Sequence, residues 1–189
     1  MSELQIQSQR PMRADARRNY EKLVAAARDQ FTEQGASASL EAVAERAGVG
    51  IGTLYRHFPT RQALIEAVYS DEVEAMARSA RDLAGLGPWE ALSEWFHQYV
   101  GFAATKRALM DALLEAAPDS DVLLRCRTTL ADAGNDLIGR GQAAGVVRPD
   151  IEFVDVGRMV GQIALAPNAD PEQKERMLQI VLDGVRPRA

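Results

Sequence analysis

Thr53, Tyr55, Arg56 and His57 put a hydroxyl, a phenol, a guanidinium and an imidazole within one short stretch of chain. All four donate hydrogen bonds, and the imidazole does so through one ring nitrogen even when neutral. Arg56 carries the planar fork that matches guanine O6 and N7. The chemistry of such a group is recognition of anionic or acceptor-rich surfaces. Catalysis is not indicated elsewhere: no nucleophile stands with a base and an orienting acid at a recognisable spacing, and no glycine-rich phosphate loop occurs. One cysteine, Cys126, and two histidines, His57 and His97, are too few for a disulfide framework or for most metal sites. Neither a metal nor a cofactor is expected.

The elements that must position these residues run from Leu40 to Phe58. Leu40, Val43, Ala44 and Ala47 fall at i, i+3, i+4 and i+7, one face of a helix. Gly48 ends that helix, because glycine takes the left-handed conformation without steric cost. A second short helix fits Gly50 to His57, with Leu54 and Phe58 turned to the core. Helix, glycine turn, helix is the helix-turn-helix pattern, whose second helix lies in a DNA major groove. Phosphate contacts position such a unit and base-edge contacts specify sequence. Arg56 is assigned to base readout. Gly52 lets the backbone approach closely, while Arg61 and the amides after Thr60 make a phosphate site at a helix N-terminus. Ser39, the N-cap of the first helix with Glu41 in its first turn, completes the DNA-facing set.

The chain has 189 residues, 47% hydrophobic and 26% charged, which suits an ordinary globular protein of one or two domains. Abundant Ala, Leu, Arg and Glu without alternating β-branched runs predict an all-α fold. Net charge is −5, but residues 1–61 carry nine Lys/Arg against seven Asp/Glu, and residues 62–189 carry thirteen against twenty. A basic front and an acidic body suit a nucleic-acid face followed by a different module. No apolar run reaches the roughly 20 residues of a membrane span, and the N-terminus lacks a signal-peptide core, so a cytoplasmic protein without membrane contact is expected.

About nine helices are predicted. Residues 1–12 read as a disordered arm, with Arg10, Arg13, Arg17 and Arg18 at its end and into the next helix, either a solvated tail or an arm that neutralises phosphates or reaches a minor groove. Asp15–Gln34 is a helix with Tyr20, Leu23, Val24, Ala27 and Phe31 as its apolar stripe. After the helix-turn-helix, Pro59 stops the second helix and Thr60 caps a long one to about Leu83. Gly85-Leu-Gly-Pro88 marks the clearest break. Helices then follow at Trp89–Ala104, Lys106–Ala116, Val122–Ala144, Phe153–Ala166 and Glu172–Val185. The division is 13–60 for the helix-turn-helix head, 61–84 for a connecting helix, and 85–189 for a ligand-binding and dimerisation bundle.

The N-terminal third resembles the tetracycline-repressor (TetR) family of bacterial transcription regulators. The residues that carry the likeness are Phe31-Thr-Glu-Gln-Gly35, Val43-Ala-Glu-Arg-Ala-Gly-Val49, Gly52-Thr-Leu-Tyr55, His57-Phe58 and Leu64. The resemblance implies a homodimeric all-α repressor whose C-terminal domain binds a small-molecule effector and dimerises. It gives Thr53, Tyr55 and His57 contacts to the DNA backbone. The chain departs from the family at Gly50-Ile51, where many members carry Ser-Lys; this removes a phosphate contact and leaves the helix start more flexible. Two heads on a two-fold axis would read double-stranded DNA at a palindromic operator.

For the bundle, Trp89, Trp95, Phe96, Tyr99, Phe102 and Met110 are candidates to line a ligand pocket, with His97 and Gln98 as polar contacts. The alternative is that this aromatic stripe is plain core. Phe153, Gly157, Gly161 and Ala164, with Met177, Ile180 and Val181, are candidates for a dimer interface; alternatively both helices complete the monomer core. Three other readings share some of these features: an all-helical enzyme, a helical ligand-binding or interaction protein without regulated DNA binding, and a transcriptional activator of the same fold.

Overall fold

The computed structural model describes residues 3–116 and 120–187, with side chains from residue 14 onward except at 36 and 116. Among the described residues there are eight α-helices and no strand: α1 (Glu3–Gln34), α2 (Leu40–Arg46), α3 (Ile51–His57), α4 (Arg61–Asp82), α5 (Pro88–Ala116), α6 (Asp121–Ala143), α7 (Phe153–Ala164) and α8 (Pro171–Val185). Single 3-10 turns at Gly35–Ser37 and Leu83–Gly85 follow α1 and α4. No helix of the described residues is long and apolar enough to cross a membrane.

Two boundaries differ from the sequence reading. The expected helices Trp89–Ala104 and Lys106–Ala116 are one, α5. Nothing at the junction breaks a helix: Thr105 is its most helix-averse residue, and its hydroxyl folds back onto the Gly101 carbonyl at 3.0 Å while the ladder continues. Residues 3–12, read as an arm, belong to α1. Glu, Leu, Gln and Arg favour that helix. The side chains of Arg10 and Arg13 lie outside the described residues.

The chain divides into two compact units: Met1–Tyr69 with Ala108–Pro118, and Ser70–Arg107 with Asp119–Ala189. Both divisions fall inside helices, α4 and α5, so each of those helices contributes to both units. In the first unit α1 packs on α2 and α2 on α3. Leu23, Ala27, Val43, Leu54 and Leu64 are fully buried there. Burial of each of the leucine and valine side chains among them stabilises by about 1.5–3 kcal/mol. In the second unit α7 packs on both α6 and α8. Its centre is aromatic: Phe153 lies 5.5 Å from Trp95, 6.3 Å from Phe96 and 5.6 Å from Tyr99, ring centre to ring centre. The Trp95 indole N–H donates to the Met76 carbonyl at 3.0 Å, which satisfies its one polar atom inside the core.

Candidate nucleic-acid interface

The turn between α2 and α3 is set by one glycine. Gly48 has φ +67°. The Val49 amide reaches back to the Ala44 carbonyl and the Gly48 amide to that of Glu45, both at 3.0 Å, which is the Schellman closure of a helix. At the other end of α2 the Ser39 hydroxyl accepts from the Ala42 amide at 3.3 Å and donates to the Glu41 carboxylate at 2.7 Å. That hydroxyl, followed by a backbone amide, holds the Glu41 carboxyl below its ordinary range. Arg46, in the last turn of α2, grips Glu33 of α1 through two hydrogen bonds of 2.8 and 3.0 Å. Both α2 ends are thereby fixed, and so is the departure point of α3.

On α3 itself Leu54 is the buried residue. Phe58, just after it, is also buried and is the second anchor. With those two side chains inside, Tyr55 and Arg56 stand on the exposed side, Tyr55 at 46% exposure. Arg56 lies back along its own helix, Nε donating to the Gly52 carbonyl at 3.2 Å. Thr53 and His57 are half-buried and flank the exposed face; Gly52 is exposed. Thr60 caps α4 by accepting from the Ala63 amide at 3.1 Å, with half-buried Arg61 beside it. The predicted DNA-facing residues therefore cluster on α3 and the first turn of α4. Ser39 is exposed, but its hydroxyl is engaged in the cap.

One residue of this surface was not legible as such. Tyr20 was read as part of the buried stripe of α1, yet it is 41% exposed. Its ring lies 5.2 Å from that of Phe58 and 6.3 Å from His57. It is thus a brace from α1 against the end of α3. Its position at i−3 from Leu23 suits a core stripe, and no local signal separates the edge of that stripe from its centre. Arg17 and Arg18 on the same helix are exposed, paired with Glu21 and Asp15 respectively.

Trp95 and Phe96, candidates for a ligand pocket, are fully buried and packed against Phe153. Tyr99 and Phe102 extend the same ring stack at the half-buried edge, 5.9 Å apart, and burial pushes the Tyr99 phenol up. Trp89 is covered by the Arg186 guanidinium at 3.8 Å. Met110 is half-buried and belongs to the first unit. Gln98 bonds Glu94 of its own helix. Of these, Trp95 and Phe96 belong to the buried core, and Trp89, Tyr99 and Phe102 are half-buried.

The dimer candidates also split. Phe153, Gly157 and Ala164 are buried in this chain. A Cβ at Gly157 would come within 2.7 Å of the Phe153 ring, and one at Gly134 within 2.3 Å. Both glycines make room for the Phe153 ring. Gly161, Met177 and Val181 are half-buried, and Ile180 is 71% exposed.

Two clefts open in the second unit. One, of about 590 Å³, runs between α4 and α6 over a floor of Ala77, Ala80 and Ala133, with Arg81, Asp136 and Arg140 on its walls. The other, of about 250 Å³, is bounded by His97, Val100, Lys174, Glu175 and Leu178. There His97 bonds the Ser93 carbonyl at 2.7 Å and Glu175 at 3.0 Å. Burial lowers the imidazole pKa, but the Ser93 carbonyl and the Glu175 carboxylate outweigh it and the net shift is upward. Sequence reading also missed Lys106, buried on α5 with its ammonium 3.2 Å from Glu72 of α4. A lysine four residues after Phe102 and three before Leu109, inside an apolar stripe, was the available signal. Among the described residues no cluster of His, Cys, Asp and Glu could hold a metal ion.

Comparison with known proteins agrees with this arrangement. Residues 23–68 match the family described as bacterial regulatory proteins, tetR family, and residues 87–187 match the C-terminal domain of SbtR-like transcriptional regulators. A TetR transcriptional regulator from Streptomyces coelicolor is 42% identical, covering 90% of this chain and 99% of its own, at a TM-score of 0.74. A TetR transcription regulatory protein from Mycobacterium vanbaalenii is 34% identical, covering 94% and 100%, also at 0.74. The HTH-type transcriptional regulator UidR of Escherichia coli is 26% identical over 170 residues, 87% of each chain. With a helix-turn-helix head and a helical body both matched along their length, the chain belongs to the TetR family of bacterial transcriptional regulators.

Proposed function

We propose that the protein is a homodimeric repressor that reads a palindromic operator and is released from it by a small-molecule effector. The observation that carries the reading is α3: Leu54 and Phe58 anchor it, and Tyr55 and Arg56 are left on its open side. In this reading Thr53, Tyr55 and His57 hold phosphates, Arg56 reads a guanine, and Arg61 and Thr60 add a phosphate contact at the start of α4.

Dimerisation joins two such heads. Its support is the exposed apolar surface of α7 and α8, where Met159 is 49% and Ile180 71% exposed beside Met177 and Val181. Gly161 leaves α7 open there, since a Cβ on it would meet no atom within 4 Å. The effector site is the cleft between α4 and α6, whose volume lies in the range of small-ligand sites. An occupant would act on α4, which runs without interruption from Arg61, next to the head. Coupling requires that the effector bind one arrangement of the heads more tightly than the other.

The test is binding of the full-length protein to duplexes from the DNA flanking its gene, with stoichiometry read by analytical ultracentrifugation. Two chains per palindrome, with affinity falling steeply as salt rises, is the expected result. One chain per site, or affinity that does not change with salt, would contradict it.

A further inference from the structure

We infer that Ile51 reads the C5 methyl group of a thymine in each half-site. The inference rests on the proposed DNA-reading role of α3 and adds a specificity determinant to it. In a helix-turn-helix the N-terminal residues of the second helix are those that meet base edges. Here α3 begins at Ile51, with Gly50 as its N-cap. Ile51 is 38% exposed, a large apolar side chain one turn before exposed Tyr55 on the same helix. Isolated exposed apolar residues are common and need no explanation by themselves. The setting of this one is what carries the argument.

Ile51 stands between two glycines that the fold of the chain does not require. Neither Gly50 nor Gly52 has a positive φ, and a Cβ built on either would meet no atom within 4 Å. Gly50 has φ −71° and ψ 148°, which any residue adopts, and Gly52 lies inside the helix, where glycine is disfavoured. Packing and backbone geometry would both accept a side chain at each site. Their absence clears the entry to the helix, so that between Val49 and Thr53 the one side chain beyond the backbone is that of Ile51. A bare helix start can approach the floor of a groove closely, carrying one branched apolar group. The major-groove feature that matches such a group is the thymine methyl, since the other base edges there present donors and acceptors.

The experiment isolates the operator by selecting duplexes from a random pool with the full-length protein, then replaces each thymine by uracil in turn. That exchange removes only the methyl. Wild-type protein should bind about fourfold more weakly per half-site at one thymine position, the effect of uncovering one methyl group. Ile51→Ala should bind the thymine and uracil duplexes alike at that position. Ile51→Val should keep most of the discrimination. Alanine is the better helix former, so loss of fold does not confound the result, and circular dichroism checks it. Equal methyl sensitivity in wild type and Ile51→Ala, or no sensitive thymine in the wild type, would overturn the inference while leaving the DNA-reading role intact. Selection that enriches no sequence would overturn that role and the inference together.

Discussion

Two groups of rings in this molecule do opposite things. In the first unit Tyr20 and Tyr55 are close to half exposed and His57 is half-buried, beside the buried ring of Phe58. In the second unit Trp95, Phe96 and Phe153 are buried together with Tyr99 at their edge. The same kind of side chain stands at the surface in one and fills a core in the other. What separates them is the element beneath. Seven-residue α3 buries Leu54 within its length and leaves Tyr55 and Arg56 outside. A 29-residue helix packed among others can bury a whole stripe.

This contrast can be broken most directly from the core. Phe153→Ala should lower stability by about 3–5 kcal/mol, because the ring fills the space that Gly134 and Gly157 leave open. Thermal unfolding followed by tryptophan fluorescence reads it, since the ring touches Trp95. A loss below 1 kcal/mol would mean that the cluster is loosely packed. Lys106→Ala should cost less, roughly 1–3 kcal/mol, by removing the buried ammonium that the half-buried Glu72 carboxylate pairs with. Replacing both residues by apolar ones of like volume should cost much less, and denaturant titration of the double variant checks that difference.

The head offers smaller and more local effects. Ser39→Ala removes the hydroxyl that caps α2 and should cost about 1 kcal/mol in denaturant unfolding. Weaker operator binding beyond that destabilisation would show that Ser39 touches DNA as well. The smallest effect belongs to His97. Its pKa is raised in the folded chain, so its contribution is fully present below the unfolded value near 6.5 and is lost as pH rises through the folded value. His97→Gln should therefore cost stability at pH 5, by less than about 1 kcal/mol, and nothing at pH 9. The opposite pH dependence in melting curves would contradict the pairing with Glu175.

How much of this was legible in the sequence follows the same division. Gly48, Ser39 and Thr60 act through hydrogen bonds to residues a few positions away, and the boundaries they set were read correctly. Gly157 pairs with Phe153 across one turn and Gly134 with Phe153 across 19 residues, and neither relation has a local signature. Small residues that admit an internal ring look the same, as letters, as those that admit a partner helix. Tyr20 failed for a related reason: it satisfies the helical period, and only the placement of His57 and Phe58 shows that it sits at the margin. Gly50-Ile51 looked like a loss of function against the family pattern. With the helix start laid bare, it reads as a different way of meeting a base.

The central claim is that α3 is the surface that reads DNA. Its most direct test is fluorescence anisotropy of a labelled operator with wild type, Tyr55→Ala and Arg56→Ala at matched salt. Both residues are exposed, so their loss should leave unfolding within about 0.5 kcal/mol of wild type. Tyr55→Ala should weaken binding roughly ten- to a hundredfold per half-site and leave the salt slope unchanged, because a neutral phenol releases no counterion. Arg56→Ala should weaken binding to the operator while leaving binding to a scrambled duplex nearly unchanged. Operator binding by both variants equal to that of wild type would contradict the account.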